Sequence, residues 1–337
     1  MIIEDRLIHE RILGSQRMPL FQKVCNKKIQ GIGHSRLERK MNGSPKCHFL
    51  HHSSPFLMIG PFHLEVKLYV PLRTIIHDFL TNEEINWMIE YIKPGLTASR
   101  KGQVPKSTTS LTKSQLRNHK NDTAHTLAKA ITKWFPEDIL YNEEQLYKKI
   151  NANGTPLKYE ALPLKDPYSY SIQLPKMYHL SKRIERVTNL NVTSRFGASK
   201  YQVTNYGLSG MVAEHLDPWG YEQGVHIIEE RKSLTQTGDY IATFMGYLKN
   251  TEAGGGTAFP TADFEGLLEP NKGSAAFWFN GFSSHYRDTR AAHGGCPVLK
   301  GDKWIFNKWV NSWDQWRKIP CHLDANIEIP FFEGITL

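Results

Sequence analysis

MVAEHLD, Met211 to Asp217, is the stretch on which the reading of this chain turns. In an extended strand, residues two apart point to the same face, so His215 and Asp217 can reach one metal ion from a single strand. His293, far downstream, would complete a set of two histidines and one carboxylate. Such a set leaves one face of an Fe(II) ion open for a co-substrate and O₂. A His-x-Asp pair alone is weak evidence in a chain with 15 histidines, so its surroundings must carry the weight.

Those surroundings read as short strands separated by turn residues. Between Ser194 and Asp314 the segments SKYQVTNY, MVAEHLD, DYIATFMGYL, GSAAFWF and KWIFNKWV follow one another, with Gly, Pro, Asn and Asp between them. This spacing predicts a mainly β fold, a barrel or jelly roll, with flanking α-helices. A jelly roll brings residues distant in sequence onto one inner wall, which suits the long gap between Asp217 and His293.

Strand parity extends the set. In the last strand Lys303, Ile305, Asn307 and Trp309 share a face; if that face is inward, an ammonium lies beside the metal and needs an anion. On the strand from Asp239 to Leu248, Ile241, Thr243, Met245 and Tyr247 share a face, and Thr243 is its short polar member. A small dicarboxylate would suit this wall. Phe277, Phe279 and Ile305 are expected to keep the cavity dry.

With these residues in place, a resemblance becomes specific. NYG at Asn205 to Gly207, HLD at His215 to Asp217, GDYIAT at Gly238 to Thr243, GGGTAFP at Gly254 to Pro260, KGSAAFWFN at Lys272 to Asn280 and HGGCPVLKGDKWIFNKW at His293 to Trp309 fall in order. Together they resemble the catalytic domain of the collagen prolyl 4-hydroxylase α subunits, Fe(II)- and 2-oxoglutarate-dependent dioxygenases with a double-stranded β-helix (jelly-roll, cupin-like) core. The resemblance implies His215, Asp217 and His293 as iron ligands and Lys303 as partner of the distal carboxylate of 2-oxoglutarate. It gives Tyr206 and Thr243 hydrogen bonds to that carboxylate and places Trp309 in the pocket lining. It further implies oxidative decarboxylation of 2-oxoglutarate to succinate and CO₂, coupled to C4 hydroxylation of peptidyl proline in collagen-like X-Pro-Gly repeats. Ascorbate would restore iron oxidised in uncoupled turnovers, and protein disulfide isomerase would be the β subunit of an α₂β₂ assembly. Two departures stand out: Tyr240 occupies a place where arginine is common, and His293 follows TRAA instead of directly following an arginine.

Four segments organise the chain. Residues 1–60 are basic and linker-like, 61–193 form an α/β support region, 194–325 the catalytic domain and 326–337 a tail. Within the support region, Thr81 and Glu84 make a capping box for a helix running through Ile92. NDTAHTLAKAITKWF and MYHLSKRIERVTNL read as amphipathic helices. Residues 135–175 show no sustained periodicity and read as an insertion, a surface lid or an artefact of the gene model.

The four cysteines allow three pairings. By resemblance, Cys25–Cys47 and Cys296–Cys321 are favoured, which implies an oxidising compartment, the endoplasmic reticulum lumen. Sequons at Asn42, Asn121, Asn153 and Asn191 fit a secretory route. The first residues, MIIEDRLIHERILGSQRM, are charged throughout and do not read as a signal peptide. The chain is therefore expected to begin inside the interdomain linker of a longer protein. No run is long and apolar enough to span a membrane. The net charge of +9 comes from dispersed residues without a nucleic-acid motif, so a solvated basic surface is expected and no nucleic acid. Gly254 to Gly256 reads as a tight turn, not a phosphate loop. Three alternatives remain: a silent subunit binding peptide or the isomerase, a hydroxylase of another proline-rich secreted protein, and a zinc-stabilised β domain. Lys303 argues against zinc, which has no need of a neighbouring ammonium.

Overall fold

The computed structural model describes residues 21, 24–25, 46–50, 55–93, 97–98, 168–172, 174–207, 210–217, 236–260 and 265–330. The first strands are β1 (Lys46–Leu50), β2 (Phe62–Tyr69) and β3 (Leu72–Ile76), with a short helix α1 (Pro55–Ile59) between β1 and β2. Helix α2 (Asn82–Ile92) begins at Thr81, whose hydroxyl accepts from Glu84 N while the Glu84 carboxylate accepts from Thr81 N, the reciprocal capping box expected. After β4 (Thr97–Ala98) and β5 (Tyr168–Ile172) comes α3 (Tyr178–Thr188), which ends where Asn189 enters the left-handed region at φ 56°. The remaining strands are β6 (Tyr201–Tyr206), β7 (Val212–His215), β8 (Tyr240–Tyr247), β9 (Ala253–Gly254), β10 (Thr257–Pro260), β11 (Glu265–Leu268), β12 (Ala275–Phe279), β13 (His293–Gly295), β14 (Val298–Lys300) and β15 (Lys303–Asn311). The helix expected over NDTAHTLAKAITKWF lies outside the described residues, as do Asn42, Asn121 and Asn153.

Nine strands form one sheet in the order β1-β2-β3-β12-β8-β15-β6-β5-β4, and four form a second in the order β11-β10-β13-β7. Every pairing is antiparallel. The expected β architecture with flanking helices, a jelly-roll core, is the one observed. Strands of the support region and of the catalytic region share the large sheet, and β5 places a strand at the end of the stretch read as unstructured.

Each face of the large sheet carries its own core. On one, α2 and α3 cover Phe244, Phe277, Phe279, Trp304 and Phe306; on the other, Tyr206, Met245, Tyr247, Ala276, Trp278 and Ile305 meet Phe259 of the small sheet. Fully burying a large apolar side chain contributes about 1.5–3 kcal/mol, so both layers are needed to hold the sheet. The parity reading of β15 holds, with Lys303 and Ile305 on the face toward the small sheet. Phe277 and Phe279, expected at the cavity wall, lie instead against the helices, and Trp278 faces the small sheet. Because AAFWF is buried on both faces, hydrophobicity could not say which set points inward.

The disulfide reading is corrected. Cys25 bonds to Cys296 with their Cα atoms 5.5 Å apart, while Cys47 and Cys321 are exposed free thiols. Cys25 belongs to a helical segment with Phe21 and Val24, both fully buried, and the Phe21 ring packs against Gly294, where a Cβ would lie 2.6 Å from Cε2. That packing brings Cys25 to β13; Cys47 sits on β1, at the outer edge of the large sheet. The sequon at Asn191 is also structurally engaged: its side-chain amide donates to Asp314 O at 2.7 Å, and Thr193 Oγ1 donates to Glu185. No described helix is long and apolar enough to cross a membrane.

Candidate active site

Strand pairing assembles the histidines. In the β7–β13 register His215 lies directly opposite His293, and their ring centroids are 4.6 Å apart. Asp217, just past the end of β7, reaches back to both: its Oδ1 is 3.5 Å from His215 Nε2 and its Oδ2 is 3.6 Å from His293 Nε2. All three ligand atoms fall within 4.8 Å of one another, and this is the one group of its kind among the described residues. The His215 side chain is 41% exposed, against 9% for His293 and 5% for Asp217, so the cluster opens to solvent on one side only.

Electrostatics prepare these groups for a cation. Burial disfavours the Asp217 carboxylate, but the imidazoles of His293 and His215 and the Thr243 hydroxyl outweigh it and hold its pKa well below the usual range. Burial pulls His293 down to about 4; Asp217 opposes that shift, while His215 and Arg73 add to it. At neutral pH the buried ligands are therefore an ionised carboxylate and a neutral imidazole, the forms a divalent metal requires. His293 Nδ1 lies 3.0 Å from Ala291 O, and since a carbonyl only accepts, Nδ1 carries the proton and Nε2 presents its lone pair. Trp278 and Phe259 box the same ring at 4.8 and 5.6 Å.

Lys303, 1% exposed, lies on the face of the large sheet that meets the small sheet. Its Nζ is 3.3 Å from Thr257 Oγ1, 3.5 Å from Gly256 O and 5.0 Å from the centroid of the Tyr206 ring, its partner in the β15–β6 register. Tyr247 OH donates to the same Thr257 oxygen at 3.2 Å. Tyr206 is buried, which raises its pKa, and the Asp217 charge raises it further. Gly254 and Gly255, at φ 70° and 72°, turn the chain into β10 and so deliver Thr257.

Thr243 reaches the carboxylate of the cluster itself. Its hydroxyl donates to Asp217 Oδ2 at 2.5 Å and accepts from Asn280 Nδ2 at 2.8 Å. Asn280, fully buried, thereby orients the metal-side carboxylate through one intervening hydroxyl. Trp309, half-buried, stacks on Tyr240 with centroids 5.4 Å apart, and its buried Nε1 has no partner among the described residues. The Tyr240 hydroxyl is pushed up to about 12 by burial, with Asp217 and Asp239 adding to the shift. Sequence reasoning missed Thr257, Tyr247, Asn280 and Arg73. The first three lay inside quoted motifs or on a strand face already marked, but nothing in their spacing distinguished them from core residues.

The fold and this cluster define a class. Residues 201–311 match the model of the 2OG-Fe(II) oxygenase superfamily; this segment is a 2OG-Fe(II) oxygenase domain. Over a longer span the chain is similar to prolyl 4-hydroxylase α subunits. It is 29% identical over 277 residues to prolyl 4-hydroxylase subunit alpha-3 of Mus musculus, covering 82% of this chain and 40% of that protein. It is 37% identical over 141 residues to subunit alpha-2 of Gallus gallus, 41% of this chain and 23% of that one. The chain spans well under half the length of these relatives. Among solved structures, the viral collagen prolyl hydroxylase of Paramecium Bursaria Chlorella virus-1 aligns at 18% identity and a TM-score of 0.40, covering 71% of this chain and 95% of the viral one.

Proposed function

We propose that this chain is the catalytic region of a prolyl 4-hydroxylase, acting on peptidyl proline in collagen-like repeats. His215, Asp217 and His293 would hold Fe(II), and Lys303 and Tyr206 the distal carboxylate of 2-oxoglutarate. The observation that carries the reading is the three-ligand cluster of the small sheet set opposite a buried lysine of the large sheet, which has Tyr206 beside it. When bound, Fe(II), 2-oxoglutarate and O₂ supply the oxidation: one oxygen atom goes to C4 of proline and the other to succinate, with release of CO₂. The chain's own residues then have four tasks. Asp217 and the two imidazoles ligate; Asn280 and Thr243 orient Asp217; Thr257 and Tyr247 hold the Lys303 ammonium in place; Trp278 and Phe259 exclude water from the His293 side. Trp309 and Tyr240 flank Thr243 and would meet the peptide.

The relatives' names support proline as the residue modified, and the Cys25–Cys296 disulfide supports an oxidising compartment. We extend the proposal to the endoplasmic reticulum lumen, ascorbate as reductant and protein disulfide isomerase as partner. The test is anaerobic visible absorption of the full chain with Fe(II), before and after 2-oxoglutarate. A charge-transfer band is expected that disappears in Asp217→Ala and needs far more 2-oxoglutarate in Lys303→Ala. Incubation with a collagen-repeat peptide and with a non-collagen proline-rich peptide, read for 4-hydroxyproline, then separates the substrates. A folded chain without the band would refute the site and leave a silent binding subunit.

A further inference from the structure

The two-residue spacing between Arg290 and His293 that sets TRAAH apart is built into a 3-10 turn, Thr289–Ala291. Asp288 caps it, its Oδ1 accepting from Arg290 N at 2.9 Å, and the Arg290 guanidinium folds back onto both Asp288 oxygens at 2.7–3.0 Å and onto Glu328. With its side chain held outward, the turn presents two carbonyls inward. One, Ala291 O, accepts from His293 Nδ1; the other, Arg290 O, accepts from Arg73 Nη2 at 2.9 Å.

Arg73 comes from β3, more than 200 positions earlier in the chain, and is 2% exposed. Its guanidinium lies 4.3 Å over the Phe259 ring, and that ring in turn packs against His293. Room for it exists because residue 266 is glycine: a Cβ there would be 3.0 Å from Arg73 Nη1. A buried arginine is costly unless it does something specific. Here one planar cation braces both the turn that supplies the histidine's acceptor and the aromatic wall behind the imidazole.

We propose that Arg73 is a positioning residue for His293, holding the Thr289–Ala291 turn through the Arg290 carbonyl so that the ring is locked as the Nδ1–H tautomer with Nε2 toward Asp217. This rests on the metal-site reading above only for its functional consequence; the tautomer is a property of the metal-free chain. Outer partners of a ligating histidine set ligand affinity by fixing ring and tautomer, and their loss typically costs on the order of 10- to 100-fold. The device also ties the site to the support region, since β3 belongs to that part of the chain.

The experiment uses the full chain with ¹⁵N-labelled histidine. Long-range ¹H–¹⁵N spectra without metal read the His293 tautomer, and Co(II) titration followed by visible absorption reads affinity. Wild type is expected to show a single Nδ1–H form. Arg73→Met should mix the tautomers and weaken Co(II) binding on the order of 10- to 100-fold. Arg73→Lys, which keeps the charge and one donor, should recover part of both. Gly246→Ala serves as a control for stability alone: its Cβ would lie 2.2 Å from the Phe306 ring, on the far face, so it should lower stability and leave tautomer and Co(II) affinity unchanged. If Arg73→Met fails to fold, Arg73→Lys decides. A folded Arg73 variant with wild-type tautomer and affinity overturns the proposal. If wild type binds no Co(II), the metal reading fails and the tautomer comparison still judges Arg73.

Discussion

Replacing Thr243 by valine keeps the branched shape and removes only the hydroxyl, which is why this change tests the orientation of Asp217 most directly. Two hydrogen bonds vanish together. The bond from the hydroxyl to the ionised Asp217 carboxylate is of the charged kind, worth about 1.5–3 kcal/mol, and the Asn280 amide is left buried without its shorter acceptor, at a cost of about 1–3 kcal/mol. These share a network and do not add fully, so the metal-free chain should lose about 3 kcal/mol of stability. Urea unfolding at neutral pH measures it. Metal affinity should fall on the order of 10- to 100-fold, because a carboxylate free to rotate no longer faces both imidazoles. Thr243→Ser restores the hydroxyl and should recover most of both losses. The reasoning is refuted if Thr243→Val unfolds at the wild-type urea concentration and binds Co(II) with wild-type affinity.

Two further outcomes follow from other parts of the molecule. Lys308, 1% exposed on the helix-covered face, donates to Ser199 O at 2.7 Å, yet burial pulls its pKa down to about 7. The unfolded chain therefore binds the extra proton between about pH 7 and the usual lysine value near 10.4, and stability should rise with pH across that window. Lys308→Met should stabilise the chain at pH 7 by about 1–4 kcal/mol, with the gain shrinking toward pH 10; a pH-independent difference in urea unfolding would count against a buried cation. Cys25→Ser opens the disulfide spanning 271 positions and should cost about 2–4 kcal/mol, measured as a lower Tm under non-reducing conditions only. After reduction the wild type should fall to the Tm of Cys25→Ser, which reductant leaves unchanged, and a Tm difference that survives reductant would contradict the prediction.

What the sequence by itself determined is what depends on short-range periodicity and local chemistry. Residues two apart on a strand share a face, so His215 with Asp217 was legible as a candidate ligand pair and Lys303 with Ile305 as one strand face, though not which way that face points. The Thr81–Glu84 box was legible because caps are decided within four residues, and the helix within MYHLSKRIERVTNL because its apolar residues recur at helical period. What only the tertiary structure decided is which distant groups meet. Cys25 pairs with Cys296 because Phe21, on the same segment, packs against Gly294 of β13. Thr243 serves Asp217 because Asn280 and the end of β7 close on it from two sheets. Phe277 and Phe279 turn to the helices and Trp278 to the small sheet, which an all-apolar strand gives no mark of, and Arg73 reaches the turn before His293 only because β3 lies beside β12. Each of these rests on packing between elements far apart in the chain, where hydrophobic contact is non-directional and one residue of parity decides the outcome.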